Sequence, residues 1–266
     1  MTYNVWTGNS LDNITELSEY IATSDIDIIC LQEVTDLFFN TLVKNHPKIK
    51  EEYDFVEPPI ATTWSVAEYI PDYNYRCYDG ELLLIKKKYH ATLQPHVPMT
   101  GTNQNRHFAA AILEINGAKI GVGTAHIESE FYSDRATKTK AAQLEMICKS
   151  FESEDVDSYI LAGDMNLTGG DQLEAEDKCI DELKLADVWK ELKSTTDNDM
   201  DKKFREEDVT WDGARNTNIP DKNEFQRPDR VYLGLFREKI KPVSISRIEG
   251  SMSDHYGLKA SFTVSK

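Results

Sequence analysis

The chain has 266 residues, of which 40% are hydrophobic and 10% aromatic, and this apolar content suffices for one large core and excludes global disorder. The formal net charge of −16 excludes a broad electrostatic grip on nucleic acid or anionic lipid, because such binding depends on clustered lysine and arginine. We expect a single domain over residues 1–266. If such a chain binds a phosphate-bearing substrate, a metal ion must help.

Cysteine spacing and the N-terminal sequence bear on the cellular compartment. The four cysteines are far apart and form no Cys-x-x-Cys pair, which predicts reduced thiols rather than a zinc site or a disulfide framework. The first residues lack the basic region and apolar stretch of a secretory signal, and no segment approaches the length of a membrane span. The sequence thus predicts an intracellular protein, nuclear or cytoplasmic, with no membrane partner.

Short apolar runs alternate with a few amphipathic stretches along the chain. The apolar runs predict strands over 2–6, 27–32, 81–87, 107–115, 118–127, 158–163, 230–235, 241–248 and 257–264. Helical periodicity predicts helices over 10–23, 36–45 and 134–151, and the charged stretch 194–208 predicts an exposed loop. Buried strands with interspersed helices favour an α/β fold with two sheets packed face to face and helices outside.

Polar side chains stand where several of these predicted strands begin or end. They are Asn4, Gln32, Glu33, His126, Asp164, Asn166, Asp229, Asp254 and His255. Strand ends on a common edge of a sandwich can converge, so we expect these groups to surround one pocket. Each group alone has an ordinary explanation: a solvated loop carboxylate, an Asx turn at Asp164, or a structural histidine at His126.

Each group has a role if the pocket cleaves a phosphodiester. Glu33 and Asp254 are predicted to hold Mg²⁺, with Mn²⁺ as a substitute, because this hard cation prefers carboxylate oxygens. Asp164, flanked by the amide of Asn166, is predicted to orient and deprotonate the attacking water.

The remaining groups could stabilise the charge that develops on the phosphate in the transition state. Asn4 and protonated His255 are predicted to donate hydrogen bonds to the phosphate oxygens, and Asp229 is predicted to pair with His255 and keep it charged.

The order and local context of these motifs resemble a known family. The motifs are Gln32-Glu33, Gly163-Asp164-Met165-Asn166, Asp229-Arg230-Val231-Tyr232 and Ser253-Asp254-His255. Together they are similar to the signature of the endonuclease/exonuclease/phosphatase superfamily. The resemblance runs from Asn4 to the terminal strand. It implies a four-layer α/β sandwich, with two mainly antiparallel sheets and helices outside, and a divalent metal site.

Other stretches resemble the branch of that superfamily formed by the 5′-tyrosyl-DNA phosphodiesterases. They are Leu31-Gln32-Glu33-Val34, Thr124-Ala125-His126-Ile127-Glu128-Ser129, Ala186-Asp187-Val188-Trp189, Thr210-Trp211-Asp212 and Ser253-Asp254-His255-Tyr256-Gly257-Leu258. The resemblance implies a catalytic and metal set formed by Asn4, Glu33, Asp164, Asn166, Asp254 and His255. It further implies that His126 and Ser129 contact the phosphate, that Arg106 shares in binding it, and that Trp211 lies beside the single-stranded end.

The substrate implied by this branch is a single-stranded 5′ DNA end that carries phosphotyrosine or a peptide, as in repair of topoisomerase 2 adducts in the nucleus. A monomer is expected. Thr168 and Pro228 depart from the branch, because the family usually has an arginine at the first position and a bulky apolar residue at the second. The chain also starts shortly before Asn4, so we expect either a compact protein or a trimmed catalytic region without the usual amino-terminal ubiquitin-binding segment.

Two other readings stay open on the sequence. Another superfamily activity would act on abasic DNA, RNA tails, inositol phosphates or phospholipid headgroups, and the acidic charge mildly favours short substrates. A catalytically silent binding module would use its acidic surface to recruit partners. The number of metal ions and the choice between DNA and RNA are likewise left open.

Overall fold

The computed structural model describes residues 1–58, 79–102, 104–129, 134–167, 173–193, 208–213, 225–234 and 239–265. Thr168 and nearly all of the predicted charged loop 194–208 lie outside these ranges. The helices are α1 Leu11–Thr23, α2 Asp36–Asn45, α3 Pro47–Glu52, α4 Asp134–Ser153, α5 Leu173–Glu182 and α6 Val188–Lys193. The strands are β1 Thr2–Asn4, β2 Ile28–Thr35, β3 Tyr53–Phe55, β4 Asp79–Lys86, β5 Thr92–Leu93, β6 Val97–Pro98, β7 His107–Ile115, β8 Ala118–His126, β9 Ser158–Asp164, β10 Leu185–Asp187, β11 Trp211–Asp212, β12 Phe225–Gln226, β13 Asp229–Gly234, β14 Ile240–Ile248 and β15 Gly257–Val264.

Two large sheets organise the described strands. The first has the order β14-β15-β1-β2-β4-β3, and the second has the order β10-β13-β9-β8-β7-β5, with β6 also paired to β7. Neighbouring strands are antiparallel except for β1 with β2 and β8 with β9. Each sheet therefore has one parallel pair near its centre, and the prediction of two mainly antiparallel sheets is confirmed.

Three apolar clusters define four layers. Between the sheets, Cys30 and Leu83 of the first sheet pack with Ala111, Val122 and Val231 of the second. On the outer face of the first sheet, α1 and α2 contribute Leu17, Ile21, Phe38 and Leu42. On the outer face of the second sheet, α4 and α5 contribute Leu144, Ile147, Phe151 and Ile180. A sheet must bury both apolar faces, and helices on the outside complete that burial.

Long, regular apolar patterns predicted their elements well, and short ones did not. The strands over 107–115 and 257–264 and the helix over 36–45 have the predicted bounds. The sequence pattern did not predict α5, a strongly charged helix in which Ile180 is buried, nor α3 and α6, which have six residues each. Six residues are fewer than two helical turns, so no periodicity could reveal them.

Two thiols agree with the expected reduced state. Cys30 and Cys148 are buried and free, and burial raises the pKa of Cys30 to about 11. Within the described ranges, no helix has the length and apolar character needed to cross a bilayer.

Candidate active site

A bulge at the end of β2 turns Glu33 out of its strand. Leu31 pairs with Leu82 and Val34 pairs with Gly80, so two residues of β2 stand opposite one residue of β4. Glu33 occupies the bulge with a φ of 58°, in the left-handed region that non-glycine residues avoid. Bulges of this kind redirect side chains beside active sites, and residues in such strained conformations tend to cluster there.

Asn4 ties the two sheets together at this point. Its Nδ2 donates to Glu33 Oε1 and to Asp164 Oδ2, each at 3.0 Å, so one amide spans from the first sheet to the second. Its Oδ1 accepts the backbone N–H of Trp6, and the other oxygen of Glu33 accepts the N–H of Thr7 at 2.8 Å. The side chains of Asn4 and Glu33 are therefore held by the turn that follows β1.

Asp164, Asp229 and His255 form the buried centre of the cluster. Asp229 lies directly opposite Asp164 in the β13–β9 register, and His255 Nδ1 lies 2.8 Å from Asp229 Oδ2. His255 Nε2 lies 3.8 Å from Asp164 Oδ2. The predicted pairing of Asp229 with His255 is present.

Burial and neighbouring charges set the protonation of this centre. Burial raises the pKa of Asp164 to about 6, a shift that Asp229 reinforces and that His255 and the Asn4 hydrogen bond oppose. Burial alone would lower the pKa of His255, but the carboxylates of Asp229, Asp254 and Asp164 raise it well above its usual range. His255 is therefore an imidazolium at neutral pH, with Asp229 fixing its orientation.

His126 approaches Asp164 from the end of β8 and, unlike His255, is a neutral imidazole. Its Nε2 lies 3.4 Å from Asp164 Oδ2, and its Nδ1 lies 2.7 Å from Arg106 Nη1. Burial, Arg106 and His255 together hold the pKa of His126 well below its usual range. Because a guanidinium only donates, Nδ1 must accept, and the proton of the neutral ring sits on Nε2 and faces Asp164.

Gln104 organises the outer side of this group, although no sequence motif predicted it as a site residue. Its Oε1 accepts from Arg106 Nη2 at 3.2 Å and from the Ser129 N–H at 2.9 Å, so it joins two residues predicted to serve the phosphate. Arg106 is buried and directed at His126, and Ser129 is half-buried. No motif surrounds Gln104, and only the approach of two loops gives it this place.

The remaining predicted residues lie around the same edge. Asn166 donates its backbone N–H to Asp164 Oδ1 at 2.9 Å, whereas its side-chain Nδ2 donates to the Ile127 carbonyl. The amide that flanks Asp164 is thus the backbone one. Ser253 Oγ donates to the Asn4 carbonyl at 2.7 Å, which ties the turn carrying Asp254 to β1. Half-buried Trp211 forms a backbone bridge with His255.

The donor set at this edge fits a hard divalent cation. Asp164, Asp229 and His255 each offer a ligand atom, and these atoms lie within 4.8 Å of one another. Asp229 Oδ1 is buried without a hydrogen-bond partner among the described residues, an unusual state for a carboxylate oxygen. Since protonated His255 has no free lone pair, only the two carboxylates of this group suit Mg²⁺, and the predicted ligand Glu33 adjoins Asp164 through the Asn4 amide.

A buried ion-pair network anchors the start of β13. Asp187 accepts from Arg227 Nη2 at 2.7 Å and Nη1 at 3.2 Å, and Arg230 Nη1 lies 3.4 Å away. Asp187 Oδ1 also accepts the Trp189 N–H at the start of α6. Because Arg227 and Arg230 flank Asp229 in the chain, this network fixes the strand segment that presents Asp229 to His255.

We expect Asp187→Asn to lower the free energy of unfolding by about 3–5 kcal/mol, because it leaves buried guanidinium groups without a counter-charge. Urea denaturation checks this. Asp177→Asn is the matched control, since its ion pair with Lys190 is exposed and such pairs contribute at most about 1 kcal/mol. An equal effect of the two substitutions would contradict the assignment.

The same network predicts a pH dependence of stability. Burial alone would raise the pKa of Asp187, but Arg227 and Arg230 outweigh it and leave the pKa below its usual value. Its stabilisation is therefore fully present above the unfolded-state pKa of about 3.9 and is lost as the pH falls through the lower folded-state value. Denaturation between about pH 5 and about pH 2 should show this loss in the wild type and a smaller one in Asp187→Asn.

The chain matches the model of the Endonuclease/Exonuclease/phosphatase family over residues 1–255 and belongs to that family. No curated protein matches the sequence.

Several solved structures share the fold over nearly the whole chain. D. rerio TDP2 complexed with single strand DNA product is 20% identical with a TM-score of 0.68, covering 99% of this chain and 97% of that chain. Truncated Caenorhabditis elegans TDP2 is 18% identical with a TM-score of 0.66, covering 99% and 96%. Beta toxin 275-280 from Staphylococcus aureus is also 18% identical, with a TM-score of 0.64 and 98% of both chains covered. At these identities the likeness establishes the fold, and the predicted four-layer sandwich is confirmed.

Proposed function

We propose that this chain is a magnesium-dependent phosphodiesterase that hydrolyses the 5′-phosphotyrosyl bond between a single-stranded DNA end and a protein tyrosine. The observation that carries the proposal is the convergence of Asn4, Asp164, Asp229 and His255 at one edge of the sandwich, with Glu33 beside them. The motifs shared with the 5′-tyrosyl-DNA phosphodiesterases support the choice of substrate. The structure of D. rerio TDP2, which is complexed with single strand DNA product, supports it further.

Asp164 is the group that orients and deprotonates the attacking water. Its raised pKa makes it a better base than an exposed aspartate, because a base is most effective when its pKa approaches the working pH. The backbone N–H of Asn166 holds one oxygen and Asn4 holds the other, so the carboxylate has a fixed direction.

In the transition state, His255 would donate to the phosphate oxygens; it is buried and already oriented by Asp229, so it needs little reorganisation. Both N–H groups of Asn4 Nδ2 donate to Glu33 and Asp164, so the donation to phosphate predicted for Asn4 requires the exchange of one of these bonds. Glu33 and Asp254 would hold Mg²⁺, or Mn²⁺ in its place, and the ion would neutralise phosphate charge when bound. The leaving phenol has a pKa of about 10, so a dedicated general acid is unnecessary.

His126 and Ser129 contact the phosphate in this scheme, and Trp211 lies beside the nucleotide end. Arg106 acts on the phosphate through His126, because its guanidinium is buried against that ring. His126 then presents its Nε2–H as a neutral donor, and it adds no charge to the pocket.

The substrate assignment is tested with a single-stranded oligonucleotide that carries a 5′-phosphotyrosine. We expect Mg²⁺-dependent release of free tyrosine, with no release by Asp164→Asn. An abasic duplex, an RNA 3′ tail, an inositol phosphate and a phosphocholine lipid complete the panel. If one of these is hydrolysed and tyrosine is not released, the site has another activity of the family. If the folded protein hydrolyses none of the substrates, the chain is a catalytically silent binding module.

Metal removal gives a second prediction. Treatment with excess EDTA should abolish tyrosine release, and Mg²⁺ or Mn²⁺ should restore it, because the described residues place no lysine or arginine cluster at the site that could replace the cation. Glu33→Gln should shift the half-saturating Mg²⁺ concentration upwards by about tenfold or more, which corresponds to about 1.4 kcal/mol of binding free energy. Undiminished turnover in EDTA would rule out the metal role.

A further inference from the structure

Helix α4 carries two buried polar side chains on the face that meets the catalytic edge. Lys140 and Gln143 are three residues apart and therefore share one face of the helix, where their exposed fractions are 4% and 0%. Burying an ammonium and an amide beside an apolar stripe is costly unless both find good partners. Both bind backbone groups of the three loops that lead to or carry predicted site residues.

Lys140 supports the loop after β9. Its Nζ donates to the Asn166 carbonyl at 2.7 Å. Asn166 has a φ of 48°, in the left-handed region, and its N–H and side chain bind Asp164 Oδ1 and the Ile127 carbonyl. The ammonium therefore holds the strained residue on which the orientation of Asp164 depends.

Gln143 supports the loop after β8 and the loop before β7. Its Oε1 accepts the Glu128 N–H at 2.8 Å, two residues beyond His126. Its Nε2 donates to the Thr100 carbonyl at 3.2 Å, in the segment that leads to Arg106. One amide thus connects the two loops whose side chains meet in the Arg106–His126 pair.

We infer that Lys140 and Gln143 are positioning residues for the proposed hydrolysis: they fix Asp164 and His126 relative to each other from behind the site. The inference rests on the proposed function for the identity of the reaction and on this structure for the contacts. The hydrogen bonds described above go to backbone groups of the loops, so loss of either side chain should act on the chemical step. Small displacements of groups that act in the transition state lower turnover strongly.

The test compares Lys140→Met, Lys140→Arg and the control Lys138→Met, which changes an exposed lysine of the same helix. On the phosphotyrosyl oligonucleotide, we expect Lys140→Met to lower kcat by about 10–100-fold with KM changed by less than about threefold. Lys140→Arg retains a cationic donor, so its kcat should be at least tenfold higher than that of Lys140→Met. Gln143→Leu should lower kcat in the same way, and the double variant should lose less than the product of the single losses, because both act on one arrangement.

Each outcome decides the inference. Urea denaturation of every variant gives the folded fraction, and a kcat loss that only follows this fraction overturns the positioning role. A rise in KM with unchanged kcat would mean that Lys140 binds substrate, which also overturns it. If Lys140→Met does not fold, the comparison of Lys140→Arg with Lys140→Gln supplies the same kcat and KM readout. If the wild type instead turns over another phosphodiester of the panel, the measurements are made on that substrate, so the positioning role is judged apart from the substrate assignment.

Discussion

Asp164→Asn is expected to lower kcat for tyrosine release by a factor of about 10²–10⁴, the range that general-base catalysis typically contributes. The substitution keeps the shape of the side chain and an oxygen to accept from Asn4 or Asn166, but it removes the basic carboxylate. KM should change little, because the group acts mainly as the reaction proceeds. Steady-state kinetics on the phosphotyrosyl oligonucleotide measure both constants.

The stability of the same variant should move in the opposite direction to its activity. Asp164 is buried and its pKa is raised, so the ionised form destabilises the fold at neutral pH relative to the unfolded chain. Asp164→Asn should therefore unfold at the same temperature as the wild type or a higher one. Asp181→Asn on the exposed surface of α5 is the control and should change neither property. Retention of more than a tenth of wild-type kcat would contradict the assignment of Asp164 as the base.

His255→Asn is expected to lower kcat by about 10²–10³-fold, the loss that follows removal of one preorganised donor to a developing anion. Asparagine can still donate to Asp229 in place of Nδ1, but it has no group at the position of Nε2, which faces Asp164. His90→Asn is the matched control, because His90 is exposed and asparagine accepts its φ of 48° readily. A similar kcat for His255→Asn and His90→Asn would remove His255 from the mechanism.

Asp229 provides a coupled test of the same assignment. Asp229→Asn weakens the carboxylate that keeps His255 charged and oriented, so it should also lower kcat. Because the two residues act as one unit, the double variant should be little worse than His255→Asn alone. Multiplicative losses would mean that Asp229 acts separately, for example as a metal ligand through its unpartnered oxygen.

The layered fold follows from the sequence because its signals are local. The continuous apolar run at 107–115, the alternating run at 257–264 and the apolar stripe of α4 are each visible in the residues themselves, and such patterns predict which faces are buried. The short helices α3 and α6 have no such signal, since their length is set by the turns around them.

In the candidate site, too, local features could be predicted from the sequence and contacts between distant segments could not. The sequence by itself determined the fold class and the order of the polar motifs at strand ends, because residue type and neighbouring apolar runs are properties of the chain. Only the tertiary structure decided the bulge that turns Glu33, the tautomer of His126 set by Arg106, and the support from Gln104 and Lys140. These features depend on distances of a few ångströms between segments far apart in the chain, and no local pattern of residues encodes such distances.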